Sequence, residues 1–121
     1  MTADRTPQPD CIFCRIVAGE LPTTKLAEDD LVLAFPDIAP RSPTHVLVIP
    51  KVHIPSAAAL TDDDGPLLGR LFATLAGIAR EAGIADDGYR IVSNVGRWGG
   101  QTVDHLHLHL MGGRSFRWPP G

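Results

Sequence analysis

The chain of 121 residues lacks features that would place it in several broad classes of protein. It has no apolar stretch of about 18 residues, so we expect no membrane-spanning helix and no membrane partner. It has no long run of like charge, and its formal net charge is −3, from 14 acidic and 11 basic residues. Such a chain lacks the basic surface that contacts phosphate backbones, so we expect no nucleic-acid partner.

Cysteine is scarce, and so is any sign of an export signal. The only two cysteines are Cys11 and Cys14. Residues 1–10 are polar, contain two prolines and lack the apolar core of a secretory signal. We therefore expect a flexible tail over 1–10, a single domain over 11–121 and a cytoplasmic location.

The sequence does contain short strand-like segments around one long helical segment. Apolar residues recur at helical spacing from Pro66 to a stop at Gly83, which predicts a long helix whose apolar face covers a sheet. Strands are predicted over 25–27, 31–35, 44–49, 89–93 and 105–111, a short helix over 12–17, and loops over 37–43 and 95–102. Together these elements predict an α+β fold with a mostly antiparallel, five-stranded sheet.

The most informative segment is His105-Leu106-His107-Leu108-His109-Leu110-Met111. Side chains alternate between the two faces of a strand, so the histidines should share one face and the leucines the other. Neighbouring imidazoles would start about 6.6 Å apart, a gap that lets two rings flank one phosphate. Structural histidines and a metal cage are the alternative interpretations.

Residues elsewhere in the chain favour the phosphate interpretation. Gly99-Gly100-Gln101-Thr102 precedes the histidine segment, where glycines permit close backbone approach to an anion and Thr102 adds a hydroxyl. Asp37 lies in a loop, where it is either a ligand for a ribose diol or a turn residue. His45 opens an apolar strand, where it is either part of the site or a histidine bonded to a carbonyl.

The pair Cys11-x-x-Cys14 has three interpretations. It could be a redox motif, two buried neutral thiols, or half of a tetrahedral zinc site. His53 and His105 are candidates for the other half of such a site. The apolar residues between the cysteines, and the lack of a βαβ pattern around them, count against a redox motif.

These motifs resemble those of the histidine triad (HIT) superfamily, in its nucleotide-binding branch. The family pattern His-φ-His-φ-His-φ-φ, where φ is apolar, matches residues 105–111 at every position. Further matches are Cys11-Ile-Phe-Cys14, Ala34-Phe35-Pro36-Asp37-Ile38, Pro43-Thr44-His45, Ile49-Pro50-Lys51, Asn94, Gly99-Gly100-Gln101 and Trp118-Pro119-Pro120-Gly121. The resemblance covers about residues 10–121.

The resemblance implies a homodimer in which two five-stranded sheets form one sheet of ten strands. It also implies hydrolysis of purine nucleoside 5′-phosphoramidates, such as AMP linked to an amine, through a covalent nucleotidyl-histidine. His107 would be the nucleophile, with His109 protonating the leaving group and His45 and Thr102 assisting. The implied nucleotide-binding residues are Phe35, Asp37, Ile38, Asn94, Gly100, Gln101, Thr102, His107 and His109.

The resemblance further implies a structural zinc ion held by Cys11, Cys14, His53 and His105, with no cofactor needed for catalysis. The chain departs from the family at Thr102, where serine is usual, and at Arg97-Trp98, which replaces a small polar pair near the leaving group. Three other functions stay open: a dinucleotide polyphosphate hydrolase or nucleotidyl transferase of the same superfamily, a nucleotide-binding adaptor, and a zinc-dependent hydrolase.

Overall fold

A computed structural model describes residues 4–121, and its centre is one antiparallel sheet of five strands. The strands are β1 (Ala27–Glu28), β2 (Val32–Pro36), β3 (Thr44–Pro50), β4 (Arg90–Val92) and β5 (Leu108–Gly112). Their order across the sheet is β1-β2-β3-β5-β4, with every neighbouring pair antiparallel. The predicted α+β fold with a five-stranded sheet is therefore confirmed.

Two α-helices and two short 3₁₀ turns accompany the sheet. Helix α1 spans Ile12–Val17 and α2 spans Gly65–Glu81, and the 3₁₀ turns are Ala57–Ala59 and Asp62–Asp64. Both predicted helices are thus present. Within residues 4–121, none of the helices has the length and apolar character needed to cross a membrane.

Helix α2 begins at a well-anchored turn. The Asp64 carboxylate accepts a hydrogen bond from the backbone N–H of Thr61 at 2.8 Å, and the Arg5 guanidinium donates to its two oxygens at 2.7 and 2.9 Å. A carboxylate at a helix start satisfies free N–H groups and stabilises the helix dipole. The ion pair also holds the N-terminal segment against the domain, although the flexibility expected of residues 1–10 stays a prediction.

The sheet separates two apolar clusters. On one side α2 packs against the sheet, where the side chains of Leu106, Leu108 and Leu110 lie. On the other side α1 covers a second cluster that consists of Phe13, Ile16, Leu33, Phe35, Leu47 and Ile49. The predicted alternation is confirmed for the leucines, because all three lie in the α2 cluster.

The predicted strand over 105–111 begins three residues too early. Strand β5 starts at Leu108, and its pairing with Val48, continued backwards, would place Leu106 opposite Pro50. Pro50 has no N–H to donate to that ladder. The Leu106 N–H instead donates to the carbonyl of Ile54 at 2.6 Å, so His105 and His107 lie just outside the sheet.

The first hairpin also differs in detail from its prediction. Strand β1 covers only Ala27–Glu28 rather than 25–27, and pairs with β2 across the acidic turn. The Asp29 carboxylate accepts from the backbone N–H groups of Leu31 and Val32 at 2.7 and 2.9 Å, which closes the turn. An aspartate that bonds to the backbone two residues ahead is typical of tight turns.

Candidate active site

The three histidines 105, 107 and 109 lie along one edge of the α1 cluster, and Phe13 packs between the first two. Its ring centroid is 5.8 Å from that of His105 and 5.2 Å from that of His107, both edge-on. The rings of His107 and His109 are 5.0 Å apart. Their backbone positions share a face as predicted, but their ring nitrogens have three different sets of partners.

His107 is held so that one ring nitrogen is free. Its side chain is buried, and its Nδ1–H donates to the carbonyl oxygen of His105 at 2.7 Å. A carbonyl can only accept, so the proton of the neutral ring lies on Nδ1 and Nε2 carries the lone pair. Within residues 4–121 no hydrogen bond engages Nε2, which makes it available as a nucleophile.

His109 is linked to His45 by a hydrogen bond whose direction follows from the backbone. The backbone N–H of Arg41 donates to His45 Nδ1 at 3.0 Å, so the proton of neutral His45 lies on Nε2. That Nε2 is 2.9 Å from His109 Nδ1, which must therefore accept. In the neutral state His109 then carries its own proton on Nε2.

Asp37 lies against the same pair of rings. Its Oδ2 is 3.4 Å from His45 Nε2 and 4.0 Å from His109 Nδ1, and its Oδ1 accepts from the backbone N–H of Ala39 at 2.8 Å. We call Asp37, His45 and His109 the aspartate–histidine cluster. The side chains of Asp37 and His109 are 18% and 19% exposed, so solvent and ligands reach them from one side.

The acidity of His109 differs from what leaving-group protonation requires. Burial, together with the neighbouring rings of His107 and His45, lowers the pKa of His109 from 6.5 to about 4, while the Asp37 carboxylate opposes the shift. A general acid works best with a pKa near the working pH. The free protein therefore holds His109 neutral at pH 7, and a bound anion would have to raise its pKa.

Four side chains on the other side of His107 form the cysteine–histidine cluster: Cys11, Cys14, His53 and His105. Cys11 Sγ is 3.4 Å from His105 Nδ1, and Cys14 Sγ is 3.3 Å from His53 Nδ1 and 3.6 Å from His105 Nδ1. Tetrahedral zinc with Zn–S near 2.3 Å and Zn–N near 2.05 Å separates sulfur and nitrogen by about 3.5 Å. The four ligand atoms, all within 4.8 Å of one another, are close enough to hold a metal ion.

The surroundings of the cysteine–histidine cluster suit a metal ion chemically. His105 Nε2–H donates to the carbonyl oxygen of Pro50 at 2.9 Å, which leaves the Nδ1 lone pair directed at the sulfur atoms. Burial lowers the pKa of His105 to about 4 and raises the pKa of the Cys14 thiol. The imidazole is thus neutral, as a ligand must be, and a cation would offset the cost of a buried thiolate.

Several hydrogen bonds hold the glycine loop after β4, and three of them use its own N–H groups, those of Gly96, Gly100 and Gln101. Val92, the last residue of β4, pairs with His109, and Asn94 follows it by two residues. The Asn94 amide donates to the carbonyl of Gly99 at 2.7 Å, and a Cβ on Gly99 would collide with the carbonyl oxygen of Val95. The Gln101 side chain accepts from the N–H of Gly96 at 2.9 Å and donates to the carbonyl of Pro55 at 2.7 Å.

Other predicted site residues differ from one another in burial, backbone conformation and contact with the histidine rings. Phe35 is buried in the α1 cluster, whereas Ile38 is 98% exposed. Gly100 adopts a positive φ of 79°, close to the Asn94 amide. Thr102 lines a cavity with Cys11 and His53. Within residues 4–121 no hydrogen bond joins its side chain to the ring of His105, His107 or His109.

Sequence reasoning missed two contributors to the site. Phe13 was seen only as an apolar residue between two cysteines, yet its ring packs on both His105 and His107. An aromatic inside a Cys-x-x-Cys pair was the available signal. Arg41 acts through its backbone N–H, which fixes the His45 tautomer. No side-chain pattern could have revealed a contact made by the main chain.

Known proteins share both the sequence and the fold. The family model described as HIT domain matches residues 18–116. A HIT-like protein of Synechococcus elongatus is 51% identical over 112 residues, which cover 93% of this chain and 97% of that protein. The purine nucleoside phosphoramidase of Escherichia coli is 46% identical over 105 residues, with coverages of 87% and 88%.

A solved structure gives the same result. The crystal structure of a HIT family hydrolase from Legionella pneumophila matches with a TM-score of 0.90 and 48% identity, covering 93% of this chain and 100% of that chain. The chain therefore belongs to the HIT family, as its motifs predicted, and its relatives include hydrolases. The match to the family model begins after Cys11 and Cys14, so the cysteine–histidine cluster extends beyond it.

Proposed function

We propose that this protein hydrolyses purine nucleoside 5′-phosphoramidates through a covalent nucleotidyl intermediate on His107. The observation that carries the proposal is the hydrogen bond from His107 Nδ1 to the His105 carbonyl, which leaves an unengaged Nε2 lone pair in the site. The 46% identity to a purine nucleoside phosphoramidase supports the choice of substrate class.

The proposed first step forms one bond and breaks one. The lone pair of His107 Nε2 attacks the α-phosphorus, and the phosphorus–nitrogen bond to the amine breaks with its electron pair moving to that nitrogen. An amine leaves poorly as an anion, so His109 supplies a proton from Nε2 as the bond breaks. The negative phosphate beside the ring would raise the pKa of His109 above its value in the free protein.

The proposed second step restores the enzyme. Water attacks the phosphorus and releases one proton to solvent. The bond from phosphorus to His107 Nε2 breaks with its electron pair returning to that nitrogen, so the nucleoside monophosphate leaves and His107 returns to its neutral form. We propose that the nucleotide is held by Phe35, Asp37, Ile38, Asn94, Gly100, Gln101 and Thr102. Asn94 follows β4 by two residues, and the last residue of that strand, Val92, pairs with His109.

We propose zinc as the metal of the cysteine–histidine cluster, in a structural role. Two thiolates and two imidazoles are the donor set typical of closed structural zinc sites. Held there, the ion would tie α1 to the segment that precedes β5. Because His105 belongs to this cluster and its carbonyl orients His107, the metal ion would support the nucleophile without taking part in the reaction.

We propose that the protein consists of one HIT domain over 11–121 and works as a homodimer. The outer strand β4 is only three residues long, and its free edge offers backbone groups for pairing with a second copy. Nearby Ile91 and Val95 are 37% and 40% exposed. Pairing along this edge would join two five-stranded sheets into one of ten strands.

The experiment that tests the activity is capture of the intermediate. The protein is mixed with an adenosine 5′-phosphoramidate, quenched in the first turnover and analysed by intact and peptide mass spectrometry. We expect a nucleotidyl adduct on the peptide that contains His107, and none in a His107→Ala variant. Turnover without any adduct would contradict the covalent mechanism, and nucleotide binding without turnover would favour an adaptor.

A panel of leaving groups decides between substrates. We expect faster turnover of amine-linked nucleotides than of dinucleotide polyphosphates with the same base. Preference for the polyphosphate would instead indicate the dinucleotide hydrolase or transferase alternative. A matched pair of adenosine and cytidine phosphoramidates tests the expected purine preference in the same assay.

A further inference from the structure

The Asp37 carboxylate faces two imidazoles that already satisfy each other. His45 Nε2–H donates to His109 Nδ1 at 2.9 Å, while Asp37 Oδ2 stands 3.4 Å from the first nitrogen and 4.0 Å from the second. The carboxylate is thus not needed for the neutral pair. Its place beside both rings matters for the pair when the pair takes up another proton.

The tautomer of His45 limits how His109 can be protonated. His45 Nδ1 accepts from the backbone N–H of Arg41, so His45 cannot turn its Nε2 into an acceptor without losing that bond. A protonated His109 would carry N–H groups on both nitrogens. Its Nδ1–H would then face the Nε2–H of His45 across 2.9 Å, donor against donor.

Asp37 removes this conflict. Within residues 4–121, Asp37 Oδ2 is the carboxylate oxygen that lies within 4.0 Å of both His45 Nε2 and His109 Nδ1. A shift of about 1 Å would bring it into hydrogen-bonding range of each nitrogen. The titratable groups that face His109 are His107, His45 and Asp37. The two histidines lower the pKa of His109, and Asp37 raises it.

We propose that Asp37 is a positioning residue for proton transfer, whose carboxylate accepts from both His45 and His109 and so makes the protonated form of His109 available. This inference rests on the proposed function. A solvent proton charges His109 when the nucleotide binds, and His109 Nε2 gives a proton to the amine as the phosphorus–nitrogen bond breaks. The electron pair of that bond stays on the amine nitrogen, and the ring returns to neutral.

A metal ion is the competing interpretation of the same three side chains, whose ligand atoms also lie within 4.8 Å of one another. A histidine that binds a metal through one nitrogen donates the N–H of the other. His45 cannot do so, because Arg41 already donates to its Nδ1. The hydrogen-bond pattern therefore favours proton handling over metal binding at the aspartate–histidine cluster.

The test separates proton handling from sugar binding with two leaving groups. Asp37→Asn is compared with wild type on an adenosine phosphoramidate of an alkylamine, which must be protonated to leave, and on adenosine 5′-phosphorofluoridate, whose fluoride leaves without a proton. We expect kcat/KM to fall about 100-fold for the amine and much less for the fluoride. Asp30→Asn, an exposed acid in the β1–β2 turn, is the matched control.

A second comparison removes the sugar hydroxyls. If Asp37 acts only on the ribose diol, its substitution should lower both substrates equally and have no effect on 2′,3′-dideoxy nucleotides. We expect the loss for the amine substrate to persist with the dideoxy sugar. Equal losses, or disappearance of the effect with that sugar, would overturn the inference.

A spectroscopic measurement keeps the inference testable even if the proposed activity fails. The pKa of His109 is followed by ¹⁵N-imidazole NMR in wild type and Asp37→Asn, with and without AMP. We expect the substitution to lower this pKa, since it removes the negative charge that opposes burial. An unchanged pKa would overturn the role of Asp37, whereas absence of turnover with every substrate would refute the proposed function alone.

Discussion

The two clusters on either side of His107 use the same side chain for different purposes. In the cysteine–histidine cluster, His105 donates through Nε2 to a carbonyl and presents its Nδ1 lone pair to two sulfur atoms. In the aspartate–histidine cluster, His109 accepts at Nδ1 from another ring and keeps its proton on Nε2. His105 and His109 are only four positions apart in the sequence, so the partner of the second ring nitrogen sets the chemistry of each imidazole.

The largest effect is expected at His107, whose ring lies between the two clusters. His107→Ala should lower turnover of a phosphoramidate by about 1,000-fold or more, because it removes the Nε2 lone pair that we propose as the nucleophile. AMP affinity by calorimetry should change little. The melting temperature should fall, because the ring is buried against Phe13. Turnover close to that of wild type would contradict the assignment of the nucleophile.

The next effect separates a structural metal from a catalytic one. A metal ion that binds only the folded state stabilises it by about 4 kcal/mol when the free ion concentration is about 1,000 times its Kd. Chelation should therefore lower the free energy of unfolding by a similar amount. We expect the chelator-treated protein to keep its activity while it stays folded. Cys14→Ser should have the melting temperature of the chelator-treated wild type, with or without chelator. Immediate loss of activity in a protein with an unchanged circular dichroism spectrum would instead indicate a zinc-dependent hydrolase.

A smaller effect tests the other cluster through pH. The folded-state pKa of His109 is about 4, below the 6.5 of the free side chain, so the unfolded chain takes up the proton first. Its contribution to stability is present above pH 6.5 and is lost as the pH falls through 4.

Urea unfolding between pH 7 and 4 measures this contribution. Wild type should lose up to about 3 kcal/mol more than His109→Gln over this range. Protonation of the metal ligands affects both proteins equally, so the difference isolates His109. If the free energies of unfolding of the two proteins changed in parallel with pH, the lowered pKa assigned to His109 would be contradicted.

The smallest effect lies outside both clusters, at the start of α2. Asp64→Ala removes the cap on Thr61 and the partner of Arg5, and should lower stability by about 1 to 2 kcal/mol. Asp63→Ala, its exposed neighbour, is the matched control and should have little effect.

The same variant also probes the link to the metal ligands. The Arg5 carbonyl accepts from the N–H of His53 at 3.0 Å, so loosening Arg5 should also weaken metal binding in a chelator competition. Unaltered metal affinity in Asp64→Ala would show that the cysteine–histidine cluster is independent of the N-terminal segment.

The members of both clusters could be named from sequence mainly because the motifs resemble those of the HIT family. The residues alone offered His53 and His105 only as candidates beside Cys11 and Cys14, which do lie within reach of one metal ion. Alternation along 105–111 placed Leu106, Leu108 and Leu110 against α2. These features follow from local geometry and from motifs. They need no knowledge of which backbone groups meet in space.

The remaining features depend on contacts that the sequence does not encode locally. The start of β5 depends on Pro50, which would lie opposite Leu106 in the ladder and has no N–H to donate. These two residues are distant in the chain. The pKa of His109 depends on burial by the rings of His107 and His45. The direction of the His45–His109 hydrogen bond depends on a main-chain N–H at Arg41, which any residue but proline could provide.

The backbone of Pro50 bears on both clusters, because its carbonyl accepts from the His105 ring and its lack of an N–H ends the ladder before His107. A residue with an N–H at this position could extend the ladder to Leu106. Its carbonyl would then compete with that of Ile54 for the Leu106 N–H, and would no longer be free to accept from the His105 ring. The imidazole would lose the anchor that aims its lone pair at sulfur. The pyrrolidine ring of Pro50 has no reactive group, yet we expect Pro50→Ala both to weaken metal binding and to shift the His105 carbonyl that orients His107.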